Sequence, residues 1–104
     1  AIPVLTWNEA KSHSGKFQIK GIPVQNKFSY DIKKQEFIYY LTDDQKNEFE
    51  VHYNGVKPGN YDQAKEIIAI GVAKNNAVYA QKLLVKCPSK YQAEGGEGYE
   101  TLEY

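Results

Sequence analysis

The sequence predicts an all-β domain: a small barrel of five to six strands, preceded by a short N-terminal helix and followed by a flexible C-terminal tail. Three observations carry that expectation. Short alternating or β-branched runs recur between turn residues from Phe17 to Val85. The first run is interrupted by Gly21, the mark of a bend or bulge inside a strand. Two compact turns, over Asp43 to Asn47 and at Asn75-Asn76, fold neighbouring runs back on each other.

The elements follow in order. Thr6 and Glu9 stand three residues apart and frame a capping box, so Trp7 to Lys11 opens as a short helix that Ser14-Gly15 ends. Trp7 is expected as a lid over one end of the barrel. Phe17 to Lys20 alternates, Gly21 bends the chain, Ile22-Pro23-Val24 continues it, and Phe28 to Ile32 alternates again. Glu36 to Thr42 is a dense run of aromatic and β-branched residues. After the turn, Phe49, Val51 and Tyr53 share one face, while Glu48, Glu50 and His52 share the other. Asn54-Gly55 and Lys57-Pro58-Gly59-Asn60 are loop signals, and Tyr61 to Lys65 fits one helical turn. Ile67 to Val72 reads as a buried strand, and Ala77 to Val85 as its return. A bent first strand that serves both sheets fits an OB-fold-like Greek-key barrel best, with an open β-meander as the alternative.

At 104 residues the chain holds one core, assigned to residues 1–91. Residues 92–104, rich in Gly and Glu, have no apolar periodicity and are expected to be a flexible acidic tail. No run approaches a membrane span and no signal peptide opens the chain. The start at Ala1-Ile2-Pro3 and the absence of Met read as a processed or trimmed fragment. One cysteine excludes an internal disulfide framework and a Cys-rich zinc site. The zero net charge hides an asymmetry: 13 Lys stand against 9 acids before residue 92, and four Glu follow. A basic body attracts an anionic ligand, a phosphate backbone or acidic lipid, although an ordinary solvated lysine surface explains it as well. No paired carboxylates, nucleophile–base dyad or phosphate-binding Gly loop is present, so the chain does not read as an enzyme.

Cys87 is the chemically suggestive residue. It follows Lys86, precedes Pro88 and closes the last apolar stretch, where a reactive thiol is better placed than a core one. Lys86 and Lys90 are expected to lower its pKa, and Pro88 keeps Cys87 out of the helical region. Tyr91, four residues on and at most about 13–14 Å away, adds a phenol able to ligate iron once deprotonated. Taken alone, the pair is as readily an incidental thiol and a packing ring. His13 and His52 lack metal-ligand spacing. Among Phe37, Tyr39 and Tyr40, one outward ring is available for a flat ligand, and the rest are expected in the core.

The surrounding residues are more specific. Leu84-Val85-Lys86-Cys87-Pro88-Ser89-Lys90-Tyr91 resembles the Leu-Ala-Lys-His-Asp-Glu-Asn-Tyr segment of the CcmE family, the periplasmic haem chaperones of cytochrome c maturation. Tyr53-Asn54-Gly55-Val56-Lys57-Pro58-Gly59-Asn60-Tyr61 looks like the family's Tyr-x-Gly-Ile-x-Pro-Asp-x-Phe loop, and Gly21, Gly71 and Ala80 fall where the family has Gly, Gly and Ala. The resemblance covers nearly all of residues 5–91. It implies covalent haem attachment through Cys87, standing where most members have His, and iron ligation by Tyr91. It also implies transfer to apocytochrome c, delivery and removal by membrane-bound partners, and an anchor facing the periplasm of the bacterial inner membrane. The chain is similar to the family's Cys-x-x-x-Tyr variant. Whether Cys87 forms a thioether or serves as a thiolate axial ligand stays open at this stage. Two other functions compete: a single-stranded nucleic-acid module, which the evenly spread Lys and absent Arg disfavour, and an interaction domain paired through a Cys87 disulfide.

Overall fold

One long strand organises the molecule. In the computed structural model, which describes residues 1–89 and 98–104, β1 runs unbroken from Phe17 to Asp31. Its first part, Phe17–Gly21, pairs with β4 (Glu66–Lys74), and the remainder pairs with β2 (Glu36–Thr42). Gly21 is the changeover. A Cβ there would stand 2.7 Å from the Thr42 carbonyl oxygen and 2.8 Å from the Leu41 Cβ, so only glycine lets the strands cross so closely. A second irregularity, a register shift between Pro23 and Phe28, holds Asn26 at a φ of 60°. The separate runs expected between Phe17 and Ile32 are thus one bent strand.

β2 and β3 (Glu48–Tyr53) form the expected hairpin, from Phe37 opposite Tyr53 to Thr42 opposite Glu48. β4 returns as β5 (Ala77–Pro88) through Asn75 and Asn76, whose φ angles of 52° and 59° are those of a two-residue type I′ turn. Parallel pairing of Val51–Tyr53 with Val78–Ala80 then closes the ring, so the OB-like barrel reads β1-β2-β3-β5-β4 around its wall. Gly71 marks a bulge in the β4–β5 ladder; a Cβ there would fall 1.9 Å from the Tyr79 carbonyl oxygen.

Phe17, Ile19, Phe37, Tyr39, Leu41, Val51, Ile67, Leu83 and Val85 fill the interior with next to no exposed surface. Each large apolar side chain buried there contributes about 1.5–3 kcal/mol. β4 alternates rather than being buried on both faces: Ile67 and Ala69 point inward, while Ile68 and Ile70 are half-covered. α1 (Trp7–Ala10) carries the full Thr6–Glu9 capping box, and Trp7 is buried and stacks on Phe49 at 5.4 Å between centroids.

The expectation of an unstructured tail from Gln92 onward is corrected at its far end. Tyr99–Glu103 forms β6, antiparallel to Leu84–Pro88 of β5. β3 covers that edge of β5 only at Val78–Ala80, so the later part of the strand has free backbone groups to pair. All five side chains of β6 are exposed, which is why no hydrophobic pattern announces it. Lys90, Tyr91 and residues 92–97, with Glu94 and Glu97, lie outside the described residues. No helix among the described residues is long and apolar enough to cross a membrane.

Candidate functional site

Cys87 lies one residue from the end of β5, on the strand face that carries Leu83 and Val85 into the core. It is 3% exposed and joins the main apolar cluster. The reading of Cys87 as a solvent-facing, activated thiol is therefore corrected. Burial pushes its pKa up and the Glu100 carboxylate adds to that rise, while the Asn60 amide works in the other direction. Lys86 does not activate it. Consecutive residues of a strand point to opposite faces, and the Lys86 ammonium lies on the outer one, 5.0 Å from the Tyr99 ring centroid. Lys90, the other expected activator, and Tyr91, the expected iron ligand, lie outside the described residues.

The thiol is held by a residue that the chemical search did not single out. Asn60 donates from Nδ2 to Cys87 Sγ at 3.1 Å, and the thiol donates back to the Asn60 carbonyl at 3.3 Å. Tyr104 in turn donates from its hydroxyl to Asn60 Oδ1 at 2.6 Å. The line Tyr104–Asn60–Cys87 thus ties three distant stretches of chain together. Only the likeness of the 53–61 loop to a family motif pointed to this region; nothing local marks an asparagine as a thiol partner.

Asn60 begins the 3-10 turn Tyr61–Gln63, and that turn joins the thiol to a cleft. The cleft, of about 470 Å³, is walled by Ile22, Val24 and Phe28 of β1, by Tyr61 of the turn and by Ala64 and Lys65 after it. Ile22 is 60% exposed and Phe28 41%, so the wall offers apolar surface to solvent. Lys57 sits 4.1 Å from the Phe28 ring centroid and 5.6 Å from that of Tyr61. Behind them Phe28, Phe37, Tyr39 and Tyr61 form one aromatic cluster with neighbouring centroids 5.0–5.8 Å apart. Burial raises the Tyr61 phenol to about 12, so this ring stays neutral. Gln25, Asn26 and Asp62 also line the cleft, so it mixes polar and apolar surface, and the Lys57 ammonium is paired with the Asp62 carboxylate at 2.9 Å.

The comparisons with known proteins bear on this geometry. A protein-family model described as the CcmE domain matches residues 3–94, nearly the whole chain. The chain belongs to the CcmE family. CcmE proteins are haem chaperones of cytochrome c biogenesis rather than enzymes, and the β-barrel is consistent with that role. No curated protein matches the chain. Among solved structures it is similar to a chain in the crystal structure of the TiaS-tRNA(Ile2)-ATP complex, at 8% identity and a TM-score of 0.49. That match covers 95% of this chain and 31% of the other.

The remaining candidates are structural. The outward ring of Tyr40 is occupied, its hydroxyl donating to Glu50 at 2.6 Å and its face covered by Lys27 at 4.2 Å. His52 does lie among the polar residues of β3, yet it is buried. Glu36 holds its Nδ1 at 2.9 Å, Glu50 holds its Nε2, and Tyr79 stacks on it at 4.4 Å. His13 packs edge-on to Phe17. Among the described residues no group of His, Cys, Asp and Glu is arranged to hold a metal ion.

Proposed function

We propose that this CcmE-family chain carries haem as a covalent adduct on Cys87, with the Tyr91 phenolate as an axial ligand to the iron, and passes it to apocytochrome c. The observation that carries the proposal is the family match over residues 3–94, which spans both residues; a cleft with exposed Ile22 and Phe28 beside the loop that holds the thiol supports it. The haem plane would lie against Ile22 and Phe28, with Lys65 on the cleft wall as the cation facing its carboxylates. Attachment needs no oxidant. The sulfur adds to one carbon of a haem vinyl group, a C–S bond replaces the C=C π bond, and the thiol proton ends on the other carbon. The thiolate is the form that adds, and burial, which raises the Cys87 pKa, disfavours that form while the side chain stays covered.

The partners would be the membrane-bound proteins that deliver and remove haem, and the site of work the periplasmic face of the bacterial inner membrane. Single-strand nucleic-acid binding is not favoured: the chain has no Arg, and its Lys residues are spread evenly along the sequence.

The test is retention of haem through acid–acetone extraction and denaturing electrophoresis after expression with haem supply. Cys87→Ala should lose all retained haem. Tyr91→Ala should keep the bond and shift the iron absorption spectrum. Haem that survives extraction from Cys87→Ala removes the attachment assignment, and an unchanged spectrum in Tyr91→Ala removes the ligand assignment.

A further inference from the structure

β6 is not part of the barrel. The ring closes without it through the β3–β5 pairing, and β6 adds to the outside edge of β5 over Leu84–Pro88, the stretch that contains Cys87. Glu100 pairs directly with Cys87, Leu102 with Val85, and the Tyr104 backbone makes two hydrogen bonds to Leu83, at 2.8 and 3.0 Å. Alternate residues of a strand share a face, so Glu100, Leu102 and Tyr104 lie on the side of the sheet to which the thiol points. From there the Tyr104 hydroxyl reaches Asn60, and Asn60 holds the sulfur.

This strand is fastened mainly by one ladder. Its five side chains are all exposed, and it pairs with β5 alone, with one further backbone bond from Ser89 to Gly98 at 2.8 Å. The Lys82–Glu103 ion pair, 2.8 Å long, joins two half-exposed side chains and adds little, and Lys86 lies over the Tyr99 ring on the outer face. Tyr104 packs on the core. A short, exposed edge strand belongs to the part of a fold that opens locally without global unfolding. The barrel under it is a different matter, since its strands share a continuous buried interior.

We propose that β6 is a removable strap: while it is paired, β6 and the Tyr104–Asn60 contact keep the Cys87 thiol out of reach, and its release opens the thiol to an incoming haem vinyl group. The strap rests on the reading of Cys87 as the attachment point, but its effect on the thiol can be measured without haem. Coupling access to a strand that must leave gives the chain a closed apo state in which its one nucleophile is shielded from air and from stray electrophiles. It also gives partners an edge of β5 to take in place of β6.

The measurement is the rate at which iodoacetamide alkylates Cys87 at fixed pH, a reaction that forms one S–C bond and releases iodide and a proton. Three chains are compared with the full one: a chain lacking residues 98–104, full-length Leu102→Pro, which removes a ladder N–H from β6 because Leu102 lies two residues from the doubly bonded Leu83–Tyr104 pair, and Tyr104→Phe, which removes only the hydroxyl. Deletion and Leu102→Pro should each speed alkylation at least about tenfold, and Tyr104→Phe by less. Amide NMR spectra establish that the barrel persists; where the deletion chain does not keep its barrel, the Leu102→Pro comparison decides. Equal rates in folded full-length, deleted and Leu102→Pro chains overturn the strap. Haem is then added to the same proteins. Faster alkylation with no haem-mass adduct on any chain leaves the strap standing and removes the attachment reading. An adduct that forms equally fast on all of them, with equal alkylation, does the reverse.

Discussion

Tyr39 brings a hydroxyl into the centre of the barrel, where no described group receives it, and the Tyr61 hydroxyl is in the same position. Burial holds the Tyr39 phenol well above its ordinary pKa. A buried donor without a partner costs about 1–3 kcal/mol. Tyr39→Phe should therefore leave stability unchanged or raise it by about 1 kcal/mol, read from the urea midpoint. A clear loss would mean that the hydroxyl has a partner. Glu50 behaves in the opposite way. The Tyr40 hydroxyl first, and then His52, hold its carboxyl below the usual range. A carboxyl with a depressed native pKa stabilises the fold above its unfolded pKa, and that stability is lost as pH falls through the native value. Urea midpoints measured from pH 7 down to pH 3 should fall less steeply in Glu50→Gln than in the parent chain; parallel curves would contradict this coupling. At this scale the sequence exposed residue types and little of their surroundings. Cys87 and Lys86 are adjacent in the chain yet face opposite sides of one strand, so sequence neighbourhood misjudged both the burial of the thiol and the charge beside it.

Among the elements, the bent first strand and the two hairpins were legible because each depends on local chemistry. Glycine at Gly21 permits the crossing, and Asn75-Asn76 accepts the left-handed turn. Gly71 tests that account. Its substitution by Ala sets a methyl group against backbone, 1.9 Å from the Tyr79 oxygen, rather than against a yielding side chain. Gly71→Ala should lower stability by at least about 2–3 kcal/mol, and the two strands would have to separate to accept it. A thermal midpoint equal to that of the parent would show that the bulge relaxes freely. β6 was not legible, because a strand recruited by an open backbone edge needs no alternating pattern of its own. The 3-10 turn was found in outline, but its use was not: a helical turn at Tyr61 says nothing about an amide one residue earlier reaching a thiol 27 residues away.

On the scale of the whole molecule, a closed five-stranded ring presents a cleft between β1 and the 3-10 turn, and a thiol on β5, joined through Asn60. The ring gives rigidity, whereas the parts at its margin are free to change. This division suits a carrier, which must hold a large flat cargo and later let it go without unfolding. The most direct measurement is mass spectrometry of the peptide containing Cys87, from protein expressed with haem supply. A haem-mass increment on that peptide, absent after Cys87→Ala, is the result the account predicts. An unmodified Cys87 in a chain that nevertheless retains haem through denaturation would contradict it.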